Sequence, residues 1–242
     1  MSLNYSGTVT IENLQDYSEM MNSAEYIDWR RWSYYYLNPS KYPRGDQPTK
    51  ENDYEIFLGA TDPTAWKNIE KGWAGGTWDG SRVPNTDWCD MVTQTGVTHE
   101  HTLSASGGTD KMKGYASIGY LDNEGTVKGQ SYTRYTTKLS LDLKPTKWFN
   151  LGLNVNGTFS EQQYGSSASS VGQLIKGMPS NLYAASTSLF PYASPYDEDG
   201  NRIEYPGGDD KVKNVMNEWN NSQNERRMFR AIGSLYAQFG FR

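Results

Sequence analysis

The sequence holds one cysteine in 242 residues, Cys89, so an internal disulfide and a thiolate zinc cage are both excluded. Histidine is almost as scarce. His99 and His101 stand two apart on a predicted strand and share a face, but no third ligand accompanies them, and they read as polar residues of a rim or lumen. No stretch reaches the ~18 apolar residues that a membrane helix needs, and residues 1–20 lack the basic start and apolar run of a signal peptide. Basic residues are outnumbered, 23 against 28 acidic, and the resulting net charge of −5 argues against a surface that collects phosphate backbones or anionic lipid. Nucleic acid is therefore not an expected partner. A nucleophile elbow and a phosphate loop are also missing, and Asp87 and Asp90 flank Trp88 with no positioned partner. Asp197, Asp199 and Asn201 start like a calcium loop, but Gly200 comes one place early and no glutamate closes the twelfth position, so they read as a tight turn. Neither catalysis, nor a metal, nor a cofactor is expected.

Aromatics are abundant instead. Eighteen tyrosines and eight tryptophans accompany a hydrophobic fraction of only 36%, which favours broad amphipathic surfaces over a thick aliphatic core. The absence of an apolar helix does not bear on membrane strands, which turn only alternate residues to lipid.

Period two is clearest from Arg134 to Lys144, where Tyr135, Thr137, Leu139, Leu141 and Leu143 alternate with Thr136, Lys138, Ser140 and Asp142. It resumes after Pro145-Thr146-Lys147, with Phe149, Leu151, Leu153, Val155 and Phe159 opposite Asn150, Asn154, Asn156, Thr158 and Ser160. So short a link makes the two strands antiparallel neighbours. A third such segment, Phe229 to Phe239, alternates with Met228 and Ile232 out of phase. Weaker strands are predicted at Tyr5 to Glu12, Thr98 to Ser106 and Lys113 to Leu121, the last two joined by a turn at Gly107-Gly108-Thr109-Asp110; the faces of these two stay unassigned.

Connection length carries the topology. The links at Asn13 to Thr95 and Glu161 to Gln223 are very long, Asp122 to Ser131 is intermediate, and the two between them are short. Strict alternation of this kind suits a barrel with short turns at one end and long loops at the other, with strands one, three and five running outward. The first long link should hold a helix from Ser23 as N-cap to before Pro39, and another from Pro63, after Asp62 as N-cap, to Glu70. Gly72 to Gly80 reads as loop, and Ser170 to Gly177 as a helical turn.

Asn85-Thr86-Asp87-Trp88, Thr95-Gly96, the run His101 to Lys111 with its Ser-Ala-Ser-Gly-Gly turn, and Gly119-Tyr120-Leu121-Asp122-Asn123-Glu124-Gly125 follow one another in the order found in the early barrel of SusC/RagA proteins, which the chain resembles. The likeness continues through Leu151-Gly152-Leu153-Asn154, Pro195 to Gly200, Asn224-Glu225-Arg226-Arg227 and Gly233 to Ala237, and is faintest between Trp29 and Gly80. It implies an all-β fold: an antiparallel transmembrane β-barrel segment, about six strands of a larger barrel of roughly 22, with long, partly helical extracellular loops. It further implies that residues 1–242 are a partial barrel domain, without the family's plug, TonB-contacting segment and remaining strands. The implied function is TonB-dependent uptake of an oligosaccharide or oligopeptide through a Gram-negative outer membrane. The implied partners are a SusD-like lipoprotein lid, the TonB complex, the nutrient and outer-membrane lipid.

Candidate ligand-contacting residues are Trp29, Trp32, Tyr35, Trp73 and Trp78, aromatic rings in the link expected to face outward, where they could stack on sugar or peptide. The same rings could instead pack the link's own small core or contact the lid. Trp148, Phe149, Phe239 and Phe241 lie near strand ends and read as an interfacial aromatic girdle. The competing reading is a soluble, aromatic-rich β-sandwich that binds carbohydrate; it accounts for strands and tryptophans but not for the alternation of link lengths.

Overall fold

The computed structural model describes residues 1–15, 19–59, 63–165, 181–207, 213–216 and 224–240. Each alternating segment forms a strand: β1 (Ser2–Glu12), β2 (Gly96–Thr109), β3 (Met112–Glu124), β4 (Gln130–Thr146), β5 (Phe149–Tyr164) and β6 (Glu225–Phe239). They pair antiparallel in sequence order as one six-stranded sheet. The chain leaves this sheet twice for long excursions, after Glu12 and after Tyr164, and both departures are at the end opposite the short turns.

The turns themselves differ from expectation. Gly107 and Gly108 are not turn residues but pair with Gly114 and Lys113, and the chain reverses at Asp110 and Lys111. Neither glycine has positive φ. Gly108 is needed for close approach, since a Cβ there would lie 2.6 Å from the Met112 carbonyl oxygen. At the other turn β4 continues through Pro145 by a register shift between Leu143 and Thr146, because proline offers no N–H to the ladder.

Residues 15–93 and 166–222 make a second compact unit. It holds α1 (Ser23–Leu37), α2 (Lys50–Ile56), α3 (Pro63–Glu70), α4 (Trp88–Val92) and α5 (Leu182–Ser186). The cap of α1 is Asn22 rather than Ser23: its side chain accepts from the Glu25 amide while Glu25 reaches back to the Asn22 amide. Ser23 instead donates its backbone N–H to Asn85 Oδ1 at 2.9 Å. Pro63 opens α3 as expected; Asp62, the predicted turn at Ser170 to Gly177, and Phe241 lie outside the described residues. The expected loop at Gly72 to Gly80 is bounded by two 3₁₀ turns, Lys71–Trp73 and Gly80–Arg82. Ile27, Ile56, Phe57, Trp66, Ile69 and Tyr192 form the buried core of this unit.

The expected all-β transmembrane barrel segment with loops is therefore corrected in two respects. The sheet is open, with β1 and β6 as edges, and the long connections are not loops but a helix-rich unit with its own core. Six strands cannot close around the side chains of one face, since about eight are needed for an interior just wide enough to hold them. No described helix is long and apolar enough to cross a membrane.

Candidate functional site

Register assigns every strand face, including those of β2 and β3, because residues directly opposite in an antiparallel pair share a face. Leu3, Ala105, Ala116, Leu139 and Val155 form one row across the sheet, and Leu141, Leu153 and Leu235 form the next but one. The rows are most open at the edge strands, where Leu3 is 67% and Leu235 70% exposed.

An aromatic row bounds this apolar band at each end. Toward the excursions lie Tyr120, Tyr135, Phe159 and Phe229, with ring centroids 5.2 Å apart for Tyr120 and Tyr135 and 6.4 Å for Tyr135 and Phe159. Toward the turns lie Trp148, Phe149 and Phe239, with Phe149 and Phe239 at 4.9 Å. Beyond the first row the same face turns charged, at Asp122, Glu161 and Arg227, where Arg227 Nε is 3.2 Å from Glu161 Oε2.

The opposite face is polar throughout most of its length. Ser140 and Asn154 are hydrogen-bonded partners, Tyr236 donates its hydroxyl to Asp142 Oδ1 at 2.7 Å, and Arg134 reaches Glu100 at 3.4 Å. His99 and His101 fall on the apolar face, stacked at 6.4 Å, with His101 Nδ1 2.8 Å from the Tyr5 hydroxyl. Among the described residues no group of three or more His, Cys, Asp or Glu side chains could hold a metal ion.

The five candidate aromatic residues do not come together. Trp73 and Trp78 meet at 5.5 Å over a buried ion pair: Arg31 gives Nε to Asp53 Oδ1 at 2.9 Å and a second nitrogen to Oδ2, and Trp73 Nε1 donates to the same Oδ2 at 3.0 Å. The Arg31 guanidinium lies 3.9 Å from the centre of the Trp78 ring, and Gly72 leaves room for that ring. Both indoles thus pack the unit's own core.

Trp32 and Tyr35 form a different cluster on α1. Trp32 stacks on Tyr36 at 5.8 Å and meets Tyr35 edge-on at 5.7 Å, with the Arg44 guanidinium 5.6 Å from the indole. Tyr36 is 73% exposed, and the Arg44 that faces Trp32 is paired with Asp46. Trp29 stands apart and lines a groove of about 390 Å³ with Met20, Met21, Leu189 and Phe190. Sequence reasoning missed Arg44 beside Trp32 and the residues that join Trp29 in its groove; nothing local ties Arg44 to Trp32, 12 positions earlier, or Leu189 to Trp29, 160 positions earlier.

Asn85-Thr86-Asp87-Trp88 acts as a staple. Thr86 Oγ1 donates to the Ala193 carbonyl at 2.7 Å, Trp88 Nε1 to the Phe190 carbonyl at 2.9 Å, and Asp87 caps α4 by accepting from the Asp90 amide. The motif joins two distant parts of the chain into one core.

No family model matches the chain. Curated relatives do. TonB-dependent receptor P39 of Formosa agariphila is 40% identical over 73 residues, 30% of this chain and 7% of that protein. TonB-dependent receptor P3 of the same organism is 30% identical over 157 residues, 65% of this chain and 15% of that protein. TonB-dependent receptor SusC of Bacteroides thetaiotaomicron is 27% identical over 115 residues, 46% of this chain and 11% of that protein. Among solved structures, the RagAB peptide transporter matches with a TM-score of 0.63 at 19% identity, over 98% of this chain and 26% of the other, which shows the shared fold. The chain thus spans a small part of the length of these relatives. Over that part it is homologous in sequence and similar in fold to SusC/RagA-family TonB-dependent receptors.

Proposed function

We propose that the sheet serves as a section of the membrane-facing wall of a TonB-dependent importer, and that the helix-rich unit contributes surface for the nutrient or a lid protein. The observation that carries this reading is the spacing of the two aromatic rows. Phe149 and Phe159 are ten residues apart on one face of β5, about 33 Å along a strand at ~3.3 Å per residue. At the ~40° tilt usual for membrane strands this becomes about 25 Å, the height of a barrel's apolar band between its aromatic girdles.

The cargo is a large nutrient, an oligosaccharide or oligopeptide. Trp32, Tyr35 and Tyr36, with Arg44 against Trp32 and paired with Asp46, support such a role, since an exposed ring with hydrogen-bonding groups nearby suits either class. Trp29 with its groove is the second candidate contact, while Trp73 and Trp78 support the core around Arg31. A SusD-like lipoprotein lid and the TonB complex complete the assembly on this reading. Uptake needs no bond to be made or broken.

The test pairs two substitutions in the full-length protein. Leu153→Arg should abolish assembly into the outer membrane and Asn154→Arg should not, the first costing about 2–4 kcal/mol near the midplane. Equal assembly of both would count against the wall. Growth of the Trp32→Ala/Tyr36→Ala variant on oligosaccharide or oligopeptide as sole nutrient then identifies the cargo class by which growth is lost; growth unchanged on both would remove these rings from the site.

A further inference from the structure

We infer that the groove beside Trp29 binds the amino end of a peptide, with a large apolar first side chain among its rings and thioethers and the terminal ammonium on Glu19. The inference rests on the reading that the helix-rich unit offers surface to the nutrient, and it names the class of nutrient at that site.

Tyr26, Trp29 and Phe190 give the groove an aromatic wall, with ring centroids 5.7 Å apart for Tyr26 and Trp29 and 5.4 Å for Tyr26 and Phe190. Met20 and Met21 add two half-exposed thioethers, which adapt to apolar partners of different shapes. At about 390 Å³ the groove is more than twice the ~150 Å³ cavity that takes a benzene ring, so a large side chain fits with backbone atoms beside it. A sugar fits poorly. The Thr187 and Ser188 hydroxyls both donate to the Ala184 carbonyl, at 2.9 and 3.0 Å, and Met20, Met21, Leu189 and Phe190 carry no strong hydrogen-bonding group. The hydroxyls of a sugar ring would lose water there without replacement partners.

One wall is fixed in advance. The Phe190 carbonyl accepts from Trp88 Nε1 at 2.9 Å and the Pro191 carbonyl from the Thr86 amide at 2.7 Å, so Phe190 need not be ordered by the ligand. Ten residues line the groove, too few for a stable protein partner, which takes about 20–30 on each side.

Glu19 is the charged residue of the lining; it is exposed and has no ion-pair partner among the described residues. Arg30 packs against Phe190, but it does not line the groove and gives a nitrogen to the Ile56 carbonyl at 3.0 Å. A carboxylate at the rim of an apolar groove matches the first residue of a peptide, which carries its ammonium on the same carbon as its side chain. A lysine entering side chain first would take its charge away from that rim.

Ligand-observed NMR titration of the full-length protein in detergent tests this with four probes: the peptide Leu-Gly-Ser-Gly-Ser, its N-acetylated form, Ala-Gly-Ser-Gly-Ser and maltohexaose. The leucyl peptide should bind at least about tenfold more tightly than the alanyl one, since each fully buried carbon contributes about a factor of four and the groove is partly open. Acetylation should weaken binding by up to about fivefold, the range of an exposed ion pair, and Glu19→Gln should remove that difference while keeping the preference for leucine. Trp29→Ala, at a ring 52% exposed, should remove the preference for leucine and leave the unfolding transition in place. Equal affinity for leucyl and alanyl peptides, or a leucine preference that survives Trp29→Ala, overturns the groove as a peptide site. Equal affinity for the free and acetylated peptides overturns the assignment to an amino end. Maltohexaose binding that Trp29→Ala abolishes overturns the peptide class and leaves the helix-rich unit as nutrient surface. Binding of all four probes unchanged by both Trp29→Ala and Trp32→Ala/Tyr36→Ala removes that surface together with the inference.

Discussion

Arg31 and Asp53, 22 residues apart, form a two-pronged ion pair with side chains only 3% and 1% exposed. The pair ties α1 to α2, and Trp73 and Trp78 close over it. Removing one partner leaves the other charged and buried, so Asp53→Asn should destabilise the helix-rich unit by about 3–5 kcal/mol. Denaturant unfolding followed by tryptophan fluorescence measures this, and a paired Arg31→Met/Asp53→Leu change should recover most of the loss.

Core and surface aromatics should separate in the same assay. Trp78→Ala removes the ring that faces the Arg31 guanidinium and should cost about 2–3 kcal/mol, below the figure for a fully buried tryptophan because Trp78 is half-buried. Tyr36→Ala, at a ring 73% exposed, should stay within ~0.5 kcal/mol. A large stability loss for Tyr36→Ala would make that ring structural and unfit as a ligand contact.

Leu58 ends α2 in the left-handed region, φ 53°, while the Gly59 amide reaches back to the Tyr54 carbonyl at 2.9 Å. Glycine is the residue this position favours, and Leu58 is 54% exposed, so little packing is forfeited. Leu58→Gly should raise stability by up to about 1 kcal/mol, net of the freedom glycine gains in the unfolded chain. A fall in melting temperature would show that the leucine side chain outweighs the backbone strain.

The turn at Asp197 is held by its carboxylate, which accepts from the amides of Asn201 at 2.8 Å and Asp199 at 3.0 Å. The Asn201 amide is the main cause holding this carboxyl below its usual range. A depressed folded pKa stabilises the turn above the ordinary aspartate pKa, and that support is lost as pH falls through the lower folded value. The protection of the Asn201 amide, its exchange relative to the free-peptide rate at the same pH, should therefore fall in that acidic window, and Asp197→Asn should make that protection independent of pH there. Added calcium should change neither, because these oxygens already serve the turn.

Strand positions were legible in all six segments and the faces of β4 and β5 with them, because period two survives wherever one face is apolar; the faces of β2 and β3 were not, because His99, His101 and Tyr120 interrupt the apolar phase that only the register with β4 restores. The aromatic row at Phe149 was visible as a cluster near strand ends. Its counterpart through Tyr120, Tyr135 and Phe159 was hidden, since it is assembled across three strands. The long connections misled most. Their core joins Ile27, Trp66 and Tyr192, and contacts between residues so far apart leave no local period. Trp73 and Trp78 lie in a stretch that read as loop, and their partners are Asp53 and Arg31, twenty and 47 positions earlier.

Cysteine accessibility along β4 and β5 tests the wall most directly, in full-length protein assembled in outer membranes, with Cys89→Ser as background. Single cysteines at Ser140 and Asn154 should react with a water-soluble maleimide, and those at Leu141 and Leu153 should not, although each lies one residue away. Lipid can protect alternate residues of a strand only if one face of this sheet meets it. Free reaction at Leu141 and Leu153, at the rates of Ser140 and Asn154, would contradict the account.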